Sequence, residues 1–238
     1  MKRITRSSKT ARTALLLPAL LLAVLLLSVT AACGTGTPTP DTDLPETVPD
    51  SPDLPAPERI RPVESCVLLG DSITAQGDFT PYFPAVTLYN LGISGDTIAG
   101  VTERMDQAAE LSPDLLLILC GINSLTDDTL DQCVGEYDLL AAEAAKMAGE
   151  TRVVIQSVLP ADENYMKWKP CSDETIRAFN DALRTIAGEY GFDYLDLYSS
   201  FAVDHAMDPD LTTDGLHLNE NGYDLWADLI RPYMDGRR

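Results

Sequence analysis

The stretch Ser65-Cys66-Val67-Leu68-Leu69-Gly70-Asp71-Ser72-Ile73 decides the fold. An apolar run passes straight into Gly-Asp-Ser, a composition that favours a turn. A short, almost continuous apolar run reads as a strand buried on both faces, and so paired in parallel. Open α/β sheets carry their chemistry at the carboxyl ends of such strands. Ser72 is therefore a candidate nucleophile, provided a base and an oxyanion site come from elsewhere in the chain.

Working outward, four more strand-like runs follow: Val86–Asn90, Leu115–Cys120, Thr151–Val158 and Tyr194–Leu197. Between and after them, Thr97–Leu111, Leu130–Ala148, Asp173–Tyr190 and Asn219–Met234 show three- and four-residue apolar spacing, which predicts helices. Ser172 or Asp173 can cap the third of these, with Gly191 just past its end, and Asn219 can cap the last. Alternating strands and helices build right-handed βαβ units. The expectation is a three-layer α/β/α sandwich with a five-stranded parallel sheet.

The turns after the first three strands are Gly70–Thr74, Asn90–Thr97 and Gly121–Ser124, and in a parallel sheet they share one edge. Asp214-Gly215-Leu216-His217 stands just before the last helical segment and can close over that edge. A serine hydroxyl needs an adjacent base. His217 suits that role, and Asp214, three residues earlier, can hold its tautomer. The backbone N–H groups of Ser72 and Gly95 and the Asn123 side-chain amide can supply oxyanion donors. His205, near Asp204 and Asp208, reads as a plain loop histidine. No Cys-x-x-Cys or compact Cys/His metal spacing is present, so neither metal nor cofactor is expected. The Gly-x-Ser-x-Gly elbow of α/β-hydrolases does not surround Ser72.

Together these blocks resemble the SGNH (GDSL-type) hydrolase family. The matching residues are Gly70-Asp71-Ser72, Gly95 within Ile93-Ser94-Gly95-Asp96, Gly121 with Asn123, and Asp214 with His217. The resemblance runs in block order over the whole domain from Val63. It implies a flavodoxin-like fold, Ser72 as nucleophile, Gly95 and Asn123 as oxyanion donors, and Asp214–His217 as the remaining dyad. The third block more often reads Gly-x-Asn-Asp; here Ser124 replaces the aspartate.

The N-terminal part is organised differently. Lys2, Arg3, Arg6, Lys9 and Arg12 precede an apolar run, Ala14 to Val29, that holds Pro18. At about 16 residues it is short against the ~20 that span a membrane, so residues 1–32 read as a signal peptide. Thr30-Ala31-Ala32-Cys33 resembles a bacterial lipoprotein cleavage box, with Thr30 where Leu is usual. That implies lipidation at Cys33; otherwise nearby cleavage releases a secreted protein. Residues 33–62, rich in Pro, Thr and acidic residues, read as a disordered tether. Residues 63–238 form the domain.

Removal of residues 1–32 leaves 12 of the 17 basic residues against 37 acidic ones, a formal charge of −25. Such a surface excludes nucleic acid as a partner and leaves the lipid anchor as the sole membrane contact. Cys66 and Cys120 read as buried thiols. Cys133 and Cys171 flank loops that can converge, and an exported chain permits a disulfide between them. The expected activity is an extracytoplasmic serine esterase, on short-acyl or O-acetylated carbohydrate esters. Lysophospholipase or thioesterase activity, or a catalytically silent surface-anchored binding protein, are the alternatives. Two aromatic-bearing segments stand as candidates for specificity: Gln76–Pro84 with Phe79, Tyr82 and Phe83, and Pro160–Lys169 with Tyr165, Met166 and Trp168. Simple loop packing is the competing reading for both.

Overall fold

A computed structural model of the chain describes residues 62–236. The expected signal peptide, the expected lipidation site Cys33 and all but the last residue of the expected tether lie outside the described residues. In chain order the elements are β1 (Ser65–Gly70), α1 (Ser72–Ala75), β2 (Thr87–Gly92), α2 (Ile98–Glu103), α3 (Met105–Glu110) and β3 (Leu115–Leu119). There follow α4 (Leu130–Ala145), β4 (Arg152–Gln156), α5 (Glu163–Trp168), α6 (Asp173–Tyr190) and β5 (Asp193–Leu195). The chain closes with α7 (Tyr198–Phe201), a hairpin of β6 (Ala202–Val203) and β7 (Ala206–Met207), and α8 (Glu220–Met234).

The five main strands form one sheet in the order β2-β1-β3-β4-β5, with every pairing parallel. Burial follows position in the sheet. Central β3, Leu-Leu-Leu-Ile-Leu, is buried throughout, whereas edge strand β2 has no fully buried residue. A continuous apolar strand is stable only where both faces are covered. The right-handed crossover rule then fixes which helices cover which face. The β1→β2 connection runs one way along the sheet and the later ones run the other. Accordingly α2, α3, α4 and α6 pack against one another. On the α1 side, Tyr223 of α8 donates its hydroxyl to the Ile73 carbonyl at 2.8 Å.

Three chain reversals leave from one row of the sheet, because Gly70 of β1 pairs with Gly92 of β2 and with Leu119 of β3. Strand order reverses between β1 and β3, so their carboxyl ends diverge and leave a crevice. The row is crowded. A Cβ on Gly70 would sit 2.2 Å from the Leu119 carbonyl oxygen and 2.4 Å from Thr74 Oγ1. Glycine is required there by space, since its φ lies outside the left-handed region.

The predicted helix ends hold. Ser172 Oγ accepts from Thr175 N–H, Gly191 closes α6 at φ 70°, and Asn219 Oδ1 accepts from Gly222 N–H. One expectation needs correction. Thr97–Leu111 is two helices rather than one, broken at Arg104 (φ −104°, ψ 5°). Of the two readings for Gln76–Pro84, packing holds: Phe79 and Phe83 are buried, and Phe79 packs edge-on against Trp226 with ring centroids 4.9 Å apart. Cys66, Cys120, Cys133 and Cys171 are all buried free thiols, so the structure holds no Cys133–Cys171 bond. Among the described residues no helix is long and apolar enough to cross a membrane.

Overpacking a rigid site costs roughly 1–3 kcal/mol, and at Gly70 the obstacle is backbone rather than a yielding side chain. Gly70→Ala is expected to lower unfolding stability by at least the upper part of that range. Urea unfolding followed by far-UV circular dichroism measures it.

Candidate active site

Asp71 directly follows β1 and caps α1, its Oδ1 accepting from the Ile73 N–H at 3.1 Å. That cap makes Ser72 the first residue of the helix, so its own N–H has no intrahelical acceptor. The Ser72 side chain lies 2.9 Å, Oγ to Nε2, from His217. His217 Nδ1 lies 2.7 Å from Asp214 Oδ2. A carboxylate only accepts, so Nδ1 carries the proton and Nε2 is left to accept from the serine hydroxyl. Asp214 Oδ1 meanwhile accepts from the backbone N–H groups of Leu216 and His217, at 3.1 and 2.8 Å. Partial burial alone would raise the Asp214 pKa, but these bonds and the His217 charge together hold it below the usual carboxylate value. Asp214 thus stays ionised where an imidazolium would need it.

The candidate donors for an oxyanion lie on the next two turns. Ile93-Ser94-Gly95-Asp96 is closed by the Asp96 N–H to the Ile93 carbonyl at 3.1 Å. Gly95 occupies its third position at φ 80°, the geometry of a type II turn. No atom would meet a Cβ on Gly95 within 4 Å, so its face of the turn is open. Asn123 donates one Nδ2 hydrogen to the Asp96 carbonyl at 2.9 Å. An amide has two such hydrogens, which leaves one for a ligand. Ser124 Oγ accepts from the Ile98 N–H at 3.0 Å, so the serine that stands for aspartate in this block serves to cap α2.

Ser72, Gly95, Asn123, Asp214 and His217 all came from sequence. The structure brings Ser72, His217 and Asp214 into one hydrogen-bonded chain and joins the Gly95 turn to Asn123. His205 is elsewhere in role: it sits at positive φ (66°) at the tip of the β6–β7 hairpin, with its Nδ1 3.8 Å from Asp173. Among the described residues, no three His, Cys, Asp or Glu side chains gather as a metal-ligand set.

Several contributors escaped sequence reasoning. Asp71 is only 1 % exposed, and burial raises its pKa to about 6, with the Asp96 charge adding to the rise. Arg104 pairs with Asp96 at 2.5 Å. The α5 segment is docked beside the site by the Asp162 N–H to the Gly215 carbonyl, 2.8 Å, and by the Lys169 ammonium on the Ile122 carbonyl. Burial pushes Tyr165 up to about 12. Trp168, 81 % exposed, lies on the same short helix. The Pro160–Lys169 segment therefore flanks the site, unlike Gln76–Pro84. Only long-range contacts mark Asp96, Arg104 and Lys169, which in sequence look like ordinary surface charges.

A family model described as the GDSL-like Lipase/Acylhydrolase family matches residues 68–225. No curated protein matches the chain. Among solved structures, a GDSL-like lipase from Bacteroides thetaiotaomicron is 26% identical, with a TM-score of 0.62 over 72% of this chain and 87% of that one. The lipase/acylhydrolase from Enterococcus faecalis is 23% identical, TM-score 0.62, over 73% and 96%. An acetyl xylan esterase is 20% identical, TM-score 0.58, over 71% and 98%.

The Asp71 shift has a stability consequence with a definite sign. Its folded pKa of about 6 lies above the ordinary 3.8. The contribution is therefore fully present below pH ~4 and is lost as pH rises through ~6. Two units correspond to roughly 3 kcal/mol. Asp71→Asn keeps a good cap without the charge, so it is expected to be stabilising at pH 8 and close to neutral at pH 4. Melting temperatures of both proteins at the two pH values test this; an equal shift at both would refute it.

Proposed function

The chain belongs to the GDSL-like lipase/acylhydrolase family, and from that premise we propose that it is an extracytoplasmic serine esterase working through an acyl-enzyme on Ser72. One observation carries the reading: the unbroken chain from Ser72 Oγ to His217 Nε2 at 2.9 Å and from His217 Nδ1 to Asp214 Oδ2 at 2.7 Å.

The steps follow from that geometry. His217 Nε2 takes the Ser72 proton as Oγ bonds to the ester carbonyl carbon. The carbonyl oxygen becomes an oxyanion, held by the Ser72 and Gly95 N–H groups and the remaining Asn123 amide hydrogen. Asp214 stabilises the imidazolium through Nδ1–H. The intermediate collapses, the carbon–oxygen bond to the alcohol breaks, and Nε2–H protonates the departing alkoxide. Water then gives a proton to Nε2 and attacks the acyl carbon, a second tetrahedral intermediate forms and collapses, and Ser72 recovers its proton as the carboxylic acid leaves.

A fluorophosphonate probe is expected to label the wild-type protein and not Ser72→Ala. His217→Ala should lose at least ~10³-fold in kcat, by analogy with removal of a triad member, whereas His205→Ala should keep wild-type turnover. An unlabelled wild-type protein would mean a silent binding protein instead.

For substrate, we favour short-acyl or O-acetylated carbohydrate esters. Tyr165 and the exposed Trp168 beside the site offer ring faces on which a sugar can stack. That this fold can serve acetylated glycans is illustrated by the acetyl xylan esterase, whose likeness to the chain is one of fold. The location is proposed from the basic and apolar leader and from Cys33. A panel of acetyl, butyryl and octanoyl esters with acetylated oligosaccharide and lysophospholipid should favour the acetyl members. In expressing cells, Cys33→Ala should move the protein from the detergent phase to the aqueous phase. Preference for octanoyl ester or lysophospholipid would reverse the substrate assignment, and an unchanged partition would reverse the anchor.

A further inference from the structure

Arg104 interrupts what the sequence writes as one helix, and its side chain explains the break. It is 13 % exposed and turns back onto the strand ends. Its Nε and Nη2 donate to Asp96 Oδ2 at 3.0 and 2.5 Å. Nη1 donates to the Leu91 carbonyl at 2.9 Å, and Nη2 approaches the Gly70 carbonyl at 3.4 Å. One guanidinium thus touches the end of β1, the end of β2 and the turn beyond β2.

Asp96 passes that anchoring on. Its carbonyl accepts from the Asn123 amide at 2.9 Å, and its N–H closes the Gly95 turn. Gly70 lies two residues before Ser72, Gly95 one before Asp96. Every group assigned to the oxyanion site is therefore at most a few bonds from an atom that Arg104 holds.

We propose that Arg104 is a positioning residue for the oxyanion site, locking the Ser72, Gly95 and Asn123 donors into one geometry through Asp96 and the carbonyls of Gly70 and Leu91. The proposal rests on the reading of Ser72 as nucleophile. Its chemistry is specific to arginine. A planar fork with five donors on three nitrogens spans these separated acceptors, whereas an ammonium directs its three donors from a single point. Such a lock acts on the transition state. The ground-state ester carbonyl does not depend on the donors as a tetrahedral oxyanion does, so loosening them lowers kcat and leaves KM nearly unchanged.

The test compares Arg104→Lys and Asp96→Asn with wild type, on a soluble short-chain p-nitrophenyl ester. Melting curves and fluorophosphonate titration correct rates for the folded, active fraction. Arg104→Lys is expected to lose roughly 10- to 100-fold in kcat, somewhat less than deleting a donor outright, with KM changed less than ~3-fold. Inhibition by a boronic acid, which forms a tetrahedral adduct on the serine, should weaken by a similar factor. Asp96→Asn keeps the carbonyl for Asn123 but loses the ion pair, so it should show the same split to a smaller degree. It decides the matter if Arg104→Lys does not fold. Wild-type kcat per active site in the folded variants, or a loss carried by KM with boronate affinity intact, overturns the proposal. A wild-type protein that the fluorophosphonate does not label overturns the Ser72 reading instead, and this proposal falls with it.

Discussion

Parallel pairing of β1 between β2 and β3 is the constraint on which the site depends. It sets Gly92, Gly70 and Leu119 in one row, so that the turns bearing Gly95, Ser72 and Asn123 start from a common line. The pairing is itself a consequence of composition. Val67, Leu68 and Leu69 beside the all-apolar β3 can be covered only by helices on both faces. Because strand order reverses at β1 and β3, the chain leaves the two strands in different directions and opens a crevice. The groups proposed for catalysis are small additions at the rim of a sheet whose stability comes from elsewhere.

A common line does not bring turns to within a few tenths of an ångström of a working geometry. Polar contacts between the turns make that adjustment. Asp96 ties the second turn to the third through Asn123 and to the strand ends through Arg104. Lys169 and Asp162 fasten α5 to the Ile122 and Gly215 carbonyls on either side of the crevice. These groups are mostly shielded from water, where such bonds are stronger and less easily exchanged. Under the proposed mechanism these contacts hold the donors before any substrate arrives, which is the condition for electrostatic catalysis.

Particular residues show how far sequence reasoning reaches. Ser172, Gly191 and Asn219 end their helices as expected because capping is local, decided by a side chain and the three backbone groups next to it. The inner strands β1, β3 and β4 were legible because burial on both faces writes a continuous apolar run. The break at Arg104 was not, since its cause lies 13 and 34 residues away, at Leu91 and Gly70. Phe79 and Phe83 stayed ambiguous in sequence for a related reason. Aromatic rings after a strand suit a binding loop and a core equally well, and only the arrival of Trp226 from α8 makes this segment core. The short β6–β7 hairpin, with Asp204 and His205 both at positive φ, lacks the glycine that usually announces such a turn.

The sequence by itself determined the α/β/α order, the strand cores and the helix caps, and marked Ser72, Gly95, Asn123, Asp214 and His217 as candidates, because periodicity, capping and residue chemistry are written in residue type and order. Tertiary structure alone decided that Ser72 and His217, 145 residues apart, meet at 2.9 Å. It also decided which aromatic segment borders the site, and that Arg104 meets Asp96 and the strand-end carbonyls of Leu91 and Gly70. Those outcomes depend on pairing register and on distances across the sheet edge, and neither is encoded in any short stretch of chain.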